Sequence, residues 1–521
     1  MNLMQFNEME PDPTTSIPTF YAGRSIFITG GTGFMGKVLI EKLLRSCPGI
    51  GEIFLLMRAK KGTSIDERLS QMLSLPLFDK LRETDASVFK KLIPVTGDVA
   101  DEGLGLPTIE RRVLTEKVSV IFHVAASVRF DDSLKQAVLL NTRGTREVCI
   151  LAAGMKKLVA LLHVSTTYGN TDRPVVDEKL YPPHANWKKT INIAETIDEH
   201  TLNSMTAKYL GKLPNTYTFT KQLAEHVIND HAGVVPGVIF RPSVVISSVS
   251  EPVSGWLDNF NGPVGLMIGG GKGILRTVYA KPDTLTDFIP VDIAIKAMIA
   301  CAWKRGIKTI TQDPGVPIYN CASSGTKVIS TRNLVAMALQ LTEEIPFEGI
   351  LWVPGTSVQT VRWIYSLTFW ILQLIPALVI DGVLKLGGTK PMLLKLQRKI
   401  YMANFALQYF LVNNWKFLNN NLLAVSTSMS KADAETFGFQ MGNFDIRDYF
   451  KNSVIGSKLY LLKEDMNKLV EAQAHFNKMW WIDRTLKVWL GVLLTWATIA
   501  SGLLAFVKNF TLSALDTLFI A

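Results

Sequence analysis

The stretch SIFITGGTGFMG, running from Ser25 to Gly36, decides the fold. Ile26, Phe27 and Ile28 form a short apolar, β-branched and aromatic run that predicts a buried strand. Thr29 then leads into Gly30, Gly33 and Gly36, and KVLIEKLLR (residues 37–45) has helical periodicity. Strand, glycine turn and helix make a dinucleotide site. Glycine permits positive φ and lets the backbone approach a pyrophosphate, while a helix beginning near Gly33 points unpaired N–H groups at the phosphates.

Composition bounds the remaining classes. The 521 residues suffice for two or three domains, and 55 Lys plus Arg against 45 Asp plus Glu leave a formal +10. That excess suits anionic cofactors, CoA-type substrates or an anionic membrane surface. No basic run with interleaved aromatics points to nucleic acid. Cys47, Cys149, Cys301 and Cys321 lie far apart, and no histidine pair has ligand spacing, so neither a disulfide framework nor a metal site is expected. Residues 1–22 are acidic and proline-bearing without an apolar signal core and read as a flexible arm. By contrast, LKVWLGVLLTWATIASGLLAFV (486–507) carries one charge, Lys487, and predicts a transmembrane anchor.

Further strands follow in order. EIFLLM (52–57) ends at Arg58, with Lys60 and Lys61 beyond, where a basic residue accommodates a 2′-phosphate and so favours NADPH. After a charged, mostly helical insertion (63–91), KLIPVTGD (91–98) closes on Asp98, and VSVIFHVAA (118–126) ends in small residues that allow close packing of the nicotinamide ribose. The helix around 136–153 contains Asn141, which predicts a local hydrogen-bonding task. VALLHV (159–164) runs into Ser165, Thr166 and Thr167, hydroxyls at a strand's C-terminal end. An irregular insertion (172–212) precedes PNTYTFTK, in which Tyr217 and Lys221 share a helix face. A nearby ammonium is expected to lower the phenol's pKa. GVIF (237–240) leads to RPSVV. The run NGPVGLMIGGGKG (261–273) fails as a Walker A loop and reads as a flexible segment over the substrate mouth; DFIPVD (287–292) caps a helix through Cys301 and Trp303.

The three-and-three glycine spacing resembles the extended short-chain dehydrogenase/reductases. Together, TGGTGFMG, LLMR, HVAASVRF, VSTTYGN, PNTYTFTK, RPSVV and LTDFIPVD resemble the fatty acyl-CoA reductases of the eukaryotic, insect and plant type. LIPALVIDGVL, KPMLLKLQRKIY, NNWKFLNNN and FDIRDYFKNSVIGSKLYLLKED resemble that family's helical C-terminal domain. The resemblance implies an α/β, Rossmann-type doubly wound parallel sheet over residues 23–350, a helical domain over 351–465 and a C-terminal transmembrane helix. It implies reduction of a long-chain acyl-CoA to a primary alcohol by two NADPH. Catalytic roles carry over to Tyr217 and Lys221 and to a hydroxyl within 165–167, Thr166 first and Ser165 next. The implied cofactor contacts are Thr29, Gly30, Gly33, Phe34, Met35, Gly36, Arg58, Asp98, Val99 and Ala125, with Tyr217 and Lys221. Lys281 stands where the family commonly has Asp, a loop departure away from the site.

WIYSLTFWILQLIPALVI (363–380) reads as a membrane-embedded or acyl-chain-lining helix. Lys478, Arg484 and Lys487 outnumber Lys508, so the amino side of the anchor, with the catalytic domain, is expected in the cytosol; the membrane expected is endoplasmic reticulum or peroxisome. A monomer and an oligomer both remain open. The rivals are a membrane-anchored sterol or hydroxysteroid dehydrogenase and a non-catalytic cofactor-binding scaffold.

Overall fold

Alternation in the short apolar runs builds the central layer. In the computed structural model, which describes residues 16–501 apart from 60, 61, 309–311, 313, 324 and 325, Ser25–Thr29 (β1) sits inside a seven-stranded sheet. The others are Ile53–Met57 (β2), Leu92–Thr96 (β3), Val118–His123 (β4), Ala160–Val164 (β5), Gly237–Pro242 (β6) and Ile318–Cys321 (β7). Their order is β7-β6-β5-β4-β1-β2-β3, and every pairing is parallel. Ile26 and Ile28 face one apolar cluster with Ile53 and Leu55, while Phe27 and Phe54 face the cluster on the opposite side. A sheet covered on both faces is what near-continuous apolar strands specify. The chain reverses direction across the sheet between β1 and β4, and ligands bind at such a switch point.

Three expectations are corrected. Within the expected arm, Ile17–Tyr21 (α1) is a helix capped by the Ser16 side chain, with Ile17 and Tyr21 fully buried; residues 1–15 lie outside the described residues. The insertion at 172–212 holds two helices, Trp187–Thr196 and Glu199–Leu210, whose first turns are capped by Asn186 and Asp198. The glycine-rich run is not a flexible flap: Gly262–Gly271 is a helix packed on Thr331–Glu344, and Lys272 is occupied by Glu464 at 2.9 Å and by the Glu348 carbonyl at 3.0 Å.

The C-terminal segment folds back onto the sheet domain. Asp433 accepts from the Ile17 amide at 3.1 Å, and Tyr449, Phe450 and Val454 share a buried cluster with Ile246, Phe288 and Phe347. Arg362–Leu386 forms a long helix whose middle, Trp370–Leu374, widens to a π turn just before Pro376, so the missing proline N–H breaks no regular hydrogen bond. The terminal helix Leu469–Ala500 covers the first part of the expected 486–507 anchor with Val488, Leu494 and Trp496 exposed. Residues 502–507, like Lys60 and Lys61, lie outside the described residues.

Deep in the sheet domain, Arg241 and Glu225 form an ion pair with side chains 0% and 1% exposed, at 2.7 Å. Removing one partner leaves a buried, uncompensated charge. Glu225→Ala is therefore expected to cost about 3–5 kcal/mol, read as a lowered denaturant midpoint; a change below about 1 kcal/mol would contradict the pair's structural role.

Candidate active site

The glycine turn is closed by its own backbone. Gly30 has φ of 76°, and a Cβ there would lie 2.6 Å from the Ala125 amide nitrogen. A Cβ on Gly36 would lie 2.2 Å from the Gly30 carbonyl oxygen, so helix Phe34–Ser46 (α2) can start this close to β1 only with glycine. Gly33 occupies the cap position of α2, where free amides face the cleft, and its own amide donates to the Gly30 carbonyl at 2.9 Å. These surfaces form a cradle that a side chain would fill, the shape and polarity that a dinucleotide pyrophosphate requires. Phe34 and Met35 open α2 and turn their side chains onto the core beneath it.

Thr29 is held by a chain of buried groups. Thr145 Oγ1 donates to the Asn141 carbonyl at 2.7 Å and so accepts from His123 Nε2 at 3.0 Å. His123 Nδ1, unprotonated in that tautomer, accepts from Thr29 Oγ1 at 2.7 Å. Burial, reinforced by Lys221, lowers the His123 pKa to about 3, which keeps the ring neutral. Thr29 Oγ1 in turn accepts from the Ala125 amide at 3.3 Å. At the neighbouring strand ends, Arg58 Nη1 reaches Asp98 Oδ2 at 3.5 Å. Val99 packs so closely on Gly144 that a Cβ there would meet it at 2.3 Å.

Asn141 lies in a π turn, Val138–Arg143, that precedes helix Gly144–Ala153 (α3). Its side chain receives the Ser127 amide at 2.9 Å and donates to Thr220 Oγ1 at 3.0 Å. The local task expected of this residue is thus to join the loop after β4 to helix Thr216–Asp230 (α4). That helix is capped by Asn215 and carries both Tyr217 and Lys221.

The three hydroxyls after β5 diverge. Ser165 Oγ donates to Glu225 at 2.6 Å inside the buried ion pair. Thr167 Oγ1 turns to the Pro242 carbonyl. Of the three, only Thr166 acts on the Tyr217 phenol, where its hydroxyl favours the ionised form. The expected acidification of Tyr217 by Lys221 is absent: burial pushes the phenol up to about 12, and Thr166 opposes the rise. Lys221 instead donates to the Val164 carbonyl at 2.6 Å, and burial lowers its pKa to about 7.

Aromatic residues cover Tyr217, and sequence reasoning missed them. The Phe130 ring lies 5.9 Å from the Tyr217 ring, and Phe410 lies 5.4 Å from Phe130. Phe410 comes from helix Leu393–Val412 (α5) and also meets Tyr168 edge-on at 5.3 Å. Phe130 stands just after β4, at the cleft end of the sheet, which is a usable signal. Phe410 is remote in sequence and has none.

Because folded Lys221 titrates at about 7 against 10.5 for the free side chain, the unfolded chain binds more protons between those values. The contribution of this site to stability therefore rises with pH across that window. The stability of the cofactor-free protein relative to Lys221→Met should increase from about pH 7 to about pH 9 in urea melts. A flat difference would contradict a buried, neutralisable ammonium.

Comparisons with known proteins agree with this geometry. An NAD-binding family model described as "Male sterility protein" matches residues 28–298, and a second model with that description matches residues 372–464. Fatty acyl-CoA reductase 1 of Xenopus laevis is 37% identical over 464 residues, 89% of this chain and 90% of its own length. The Homo sapiens protein of that name is 35% identical over the same shares, and fatty acyl-CoA reductase wat of Drosophila melanogaster is 34% identical over 92% of both chains. Among solved structures, the terminal R domain of the myxalamid PKS-NRPS pathway has a TM-score of 0.56 at 17% identity, covering 84% of this chain and 91% of its own. The reductase domain of a non-ribosomal peptide synthetase from Mycobacterium tuberculosis has a TM-score of 0.54 at 18% identity, covering 84% and 92%. These two share the fold. With relatives above 30% identity along nine-tenths of its length, the chain belongs to the fatty acyl-CoA reductase family.

Proposed function

We propose that this chain reduces a long-chain acyl-CoA to the primary alcohol, consuming two NADPH and two protons and releasing CoA. The observation that carries the reading is the pairing of Tyr217 with Thr166 just after β5, at the same C-terminal sheet edge as the glycine cradle after β1. The cradle fits a dinucleotide, with Thr29, Gly30, Gly33 and Gly36 for the pyrophosphate, Arg58, Asp98 and Val99 toward the adenosine half, and Ala125 beside the nicotinamide ribose. When bound, the cofactor supplies hydride to the thioester carbonyl and then to the aldehyde.

The chain's own residues handle charge and protons. The hydroxyls of Tyr217 and Thr166 stabilise the oxyanion that develops on the carbonyl oxygen. Collapse of that first oxyanion breaks the C–S bond and expels CoA thiolate. At the aldehyde stage, Tyr217 gives its proton to the alkoxide. Lys221, anchored by the Val164 carbonyl, stands one turn along the helix from Tyr217, positioned to hold the cofactor ribose. Ser165 is spent on Glu225, which supports Thr166 over Ser165 as the catalytic hydroxyl. The four cysteines are all buried, so no thioester to the enzyme enters the scheme.

The preference for NADPH rests on Arg58. Its side chain is 65% exposed at the end of β2, free to turn toward a 2′-phosphate. A reductase domain through residue 350, a helical domain over 351–465 and a membrane tie through 486–507 complete the reading. The excess of Lys478, Arg484 and Lys487 over Lys508 supports a cytosolic catalytic domain; the membrane on this reading is endoplasmic reticulum or peroxisome. A hydroxysteroid dehydrogenase would not need the helical domain that the family shares, and a scaffold would not need the paired hydroxyls.

With purified protein, two NADPH should disappear for each thiol released; no oxidation with any acyl-CoA overturns the reading. Tyr217→Phe should lower kcat by about 10²–10⁴-fold while NADPH still binds, and unchanged turnover would refute its role. Arg58→Ala should raise KM for NADPH by about tenfold or more and leave NADH nearly unaffected. Equal effects on the two cofactors would remove Arg58 from phosphate recognition.

A further inference from the structure

Among the described residues, Arg362–Leu386 is the one helix long and apolar enough to cross a membrane. Trp363, Trp370, Ile371, Val379, Val383 and Leu386 are exposed along it, Leu386 at 91%. Its other face, however, is stitched to the reductase domain. Gln373, 2% exposed and midway along the helix, accepts from the Arg276 amide at 2.6 Å. Asp381 accepts from the Met392, Leu393 and Leu394 amides at 2.8–3.0 Å and so caps the antiparallel helix α5. Along α5, Gln397 donates to the Ile274 carbonyl at 3.0 Å, Asn404 accepts from the Tyr279 amide at 3.4 Å, and the Leu411 carbonyl accepts from Lys281 at 3.0 Å. Both helices thus lie on the 274–281 segment. A spanning helix would abandon these partners and strand buried amides in hydrocarbon.

Charge is concentrated at one end of this pair. Asp381 is the only acidic residue between Gly349 and Ala432, and it is spent as a cap. Lys385, Lys390, Lys395, Arg398 and Lys399 are all exposed around the connecting turn, and among the described residues none of them forms an ion pair. Apolar stem and cationic tip complement an anionic leaflet: acyl chains for one, headgroup phosphates for the other.

We propose that residues 362–412 form a monotopic anchor that lies in the plane of one leaflet, its exposed apolar face in the acyl region and its tip cations on anionic phospholipid headgroups. The inference builds on the membrane tie proposed above but does not depend on residues 486–507. It assigns to the one described helix long and apolar enough to span a membrane a role other than spanning.

The test uses the full chain reconstituted in phosphatidylcholine vesicles with and without about 30 mol % phosphatidylserine, catalytic domain outward. The native cysteines are buried, so an introduced one reports alone. Thr389→Cys, at the tip, should react with an impermeant maleimide added outside as fully as after detergent; labelling only after detergent means a transmembrane helix and overturns the proposal. A fluorophore on Leu386→Cys should be quenched by nitroxide lipids, and the quenching should grow with phosphatidylserine. Absence of quenching means a second copy or another protein covers this face, which also overturns it.

Replacing the five cations together by glutamine should abolish the phosphatidylserine increment without altering kcat in detergent. If the increment survives, or if the variant instead raises KM for acyl-CoA in detergent, the cations serve another ligand such as CoA phosphate, and the proposal fails. Turnover is read in the same samples. A chain that labels and quenches as expected yet oxidises no NADPH would refute the function and leave the anchor standing.

Discussion

The buried pair of Glu225 and Arg241 is the interaction on which the site depends. Glu225 accepts two bonds from the Arg241 guanidinium and one from Ser165 Oγ, while the remaining Arg241 donors reach the Asp177 and Lys179 carbonyls. Two charges removed from water cost several kcal/mol each, and here the hydrogen bonds made by both partners offset that cost. The pair joins four segments: helix α4, the end of β6, the turn after β5 and the insertion at 177–179. Lys221 is one helical turn before Glu225 and Tyr217 one turn before that, so the same bond that locks α4 sets the depth of both side chains. It also occupies Ser165, whose hydroxyl gives its one proton to Glu225.

The parts of the fold legible in sequence are those whose signals are local. β1, β2 and β4 announce themselves by apolar runs broken by glycine, arginine or small residues, and the Tyr217–Lys221 spacing is a property of one helix. What was missed has identifiable causes. Pro182 and Pro183 made the insertion read as irregular, although Asn186 and Asp198 are good helix caps and the helices begin there. In the run at 261–273 glycine suggested mobility, whereas the structure uses it for a helix pressed against its neighbour. Ser16 with Pro18 was a start signal for α1 that the acidic setting obscured. The site's error was electrostatic: spacing puts Lys221 on the face of Tyr217, but the ammonium is drawn to the Val164 carbonyl, and only tertiary structure could reveal that competitor.

Aromatic cover gives that correction a chemical meaning. Phe130 over Tyr217, with Phe410 behind it, withdraws the phenol from water and makes ionisation harder. A tyrosine that must donate a proton is best kept protonated until an acceptor appears, and an alkoxide is far more basic than a phenolate. Raised acidity would be useful only if donation limited the rate. On the proposed scheme the proton is retained through the first half-reaction, in which the oxyanion is hydrogen-bonded and then released to expel thiolate rather than trapped by protonation. Phe410 belongs to α5, the helix that also supports the apolar helix at 362–386, so the dryness around Tyr217 and the fit of the C-terminal helices are a single packing problem. Loosening α5 would admit water to Tyr217 before it disturbed any residue that touches the reacting carbon.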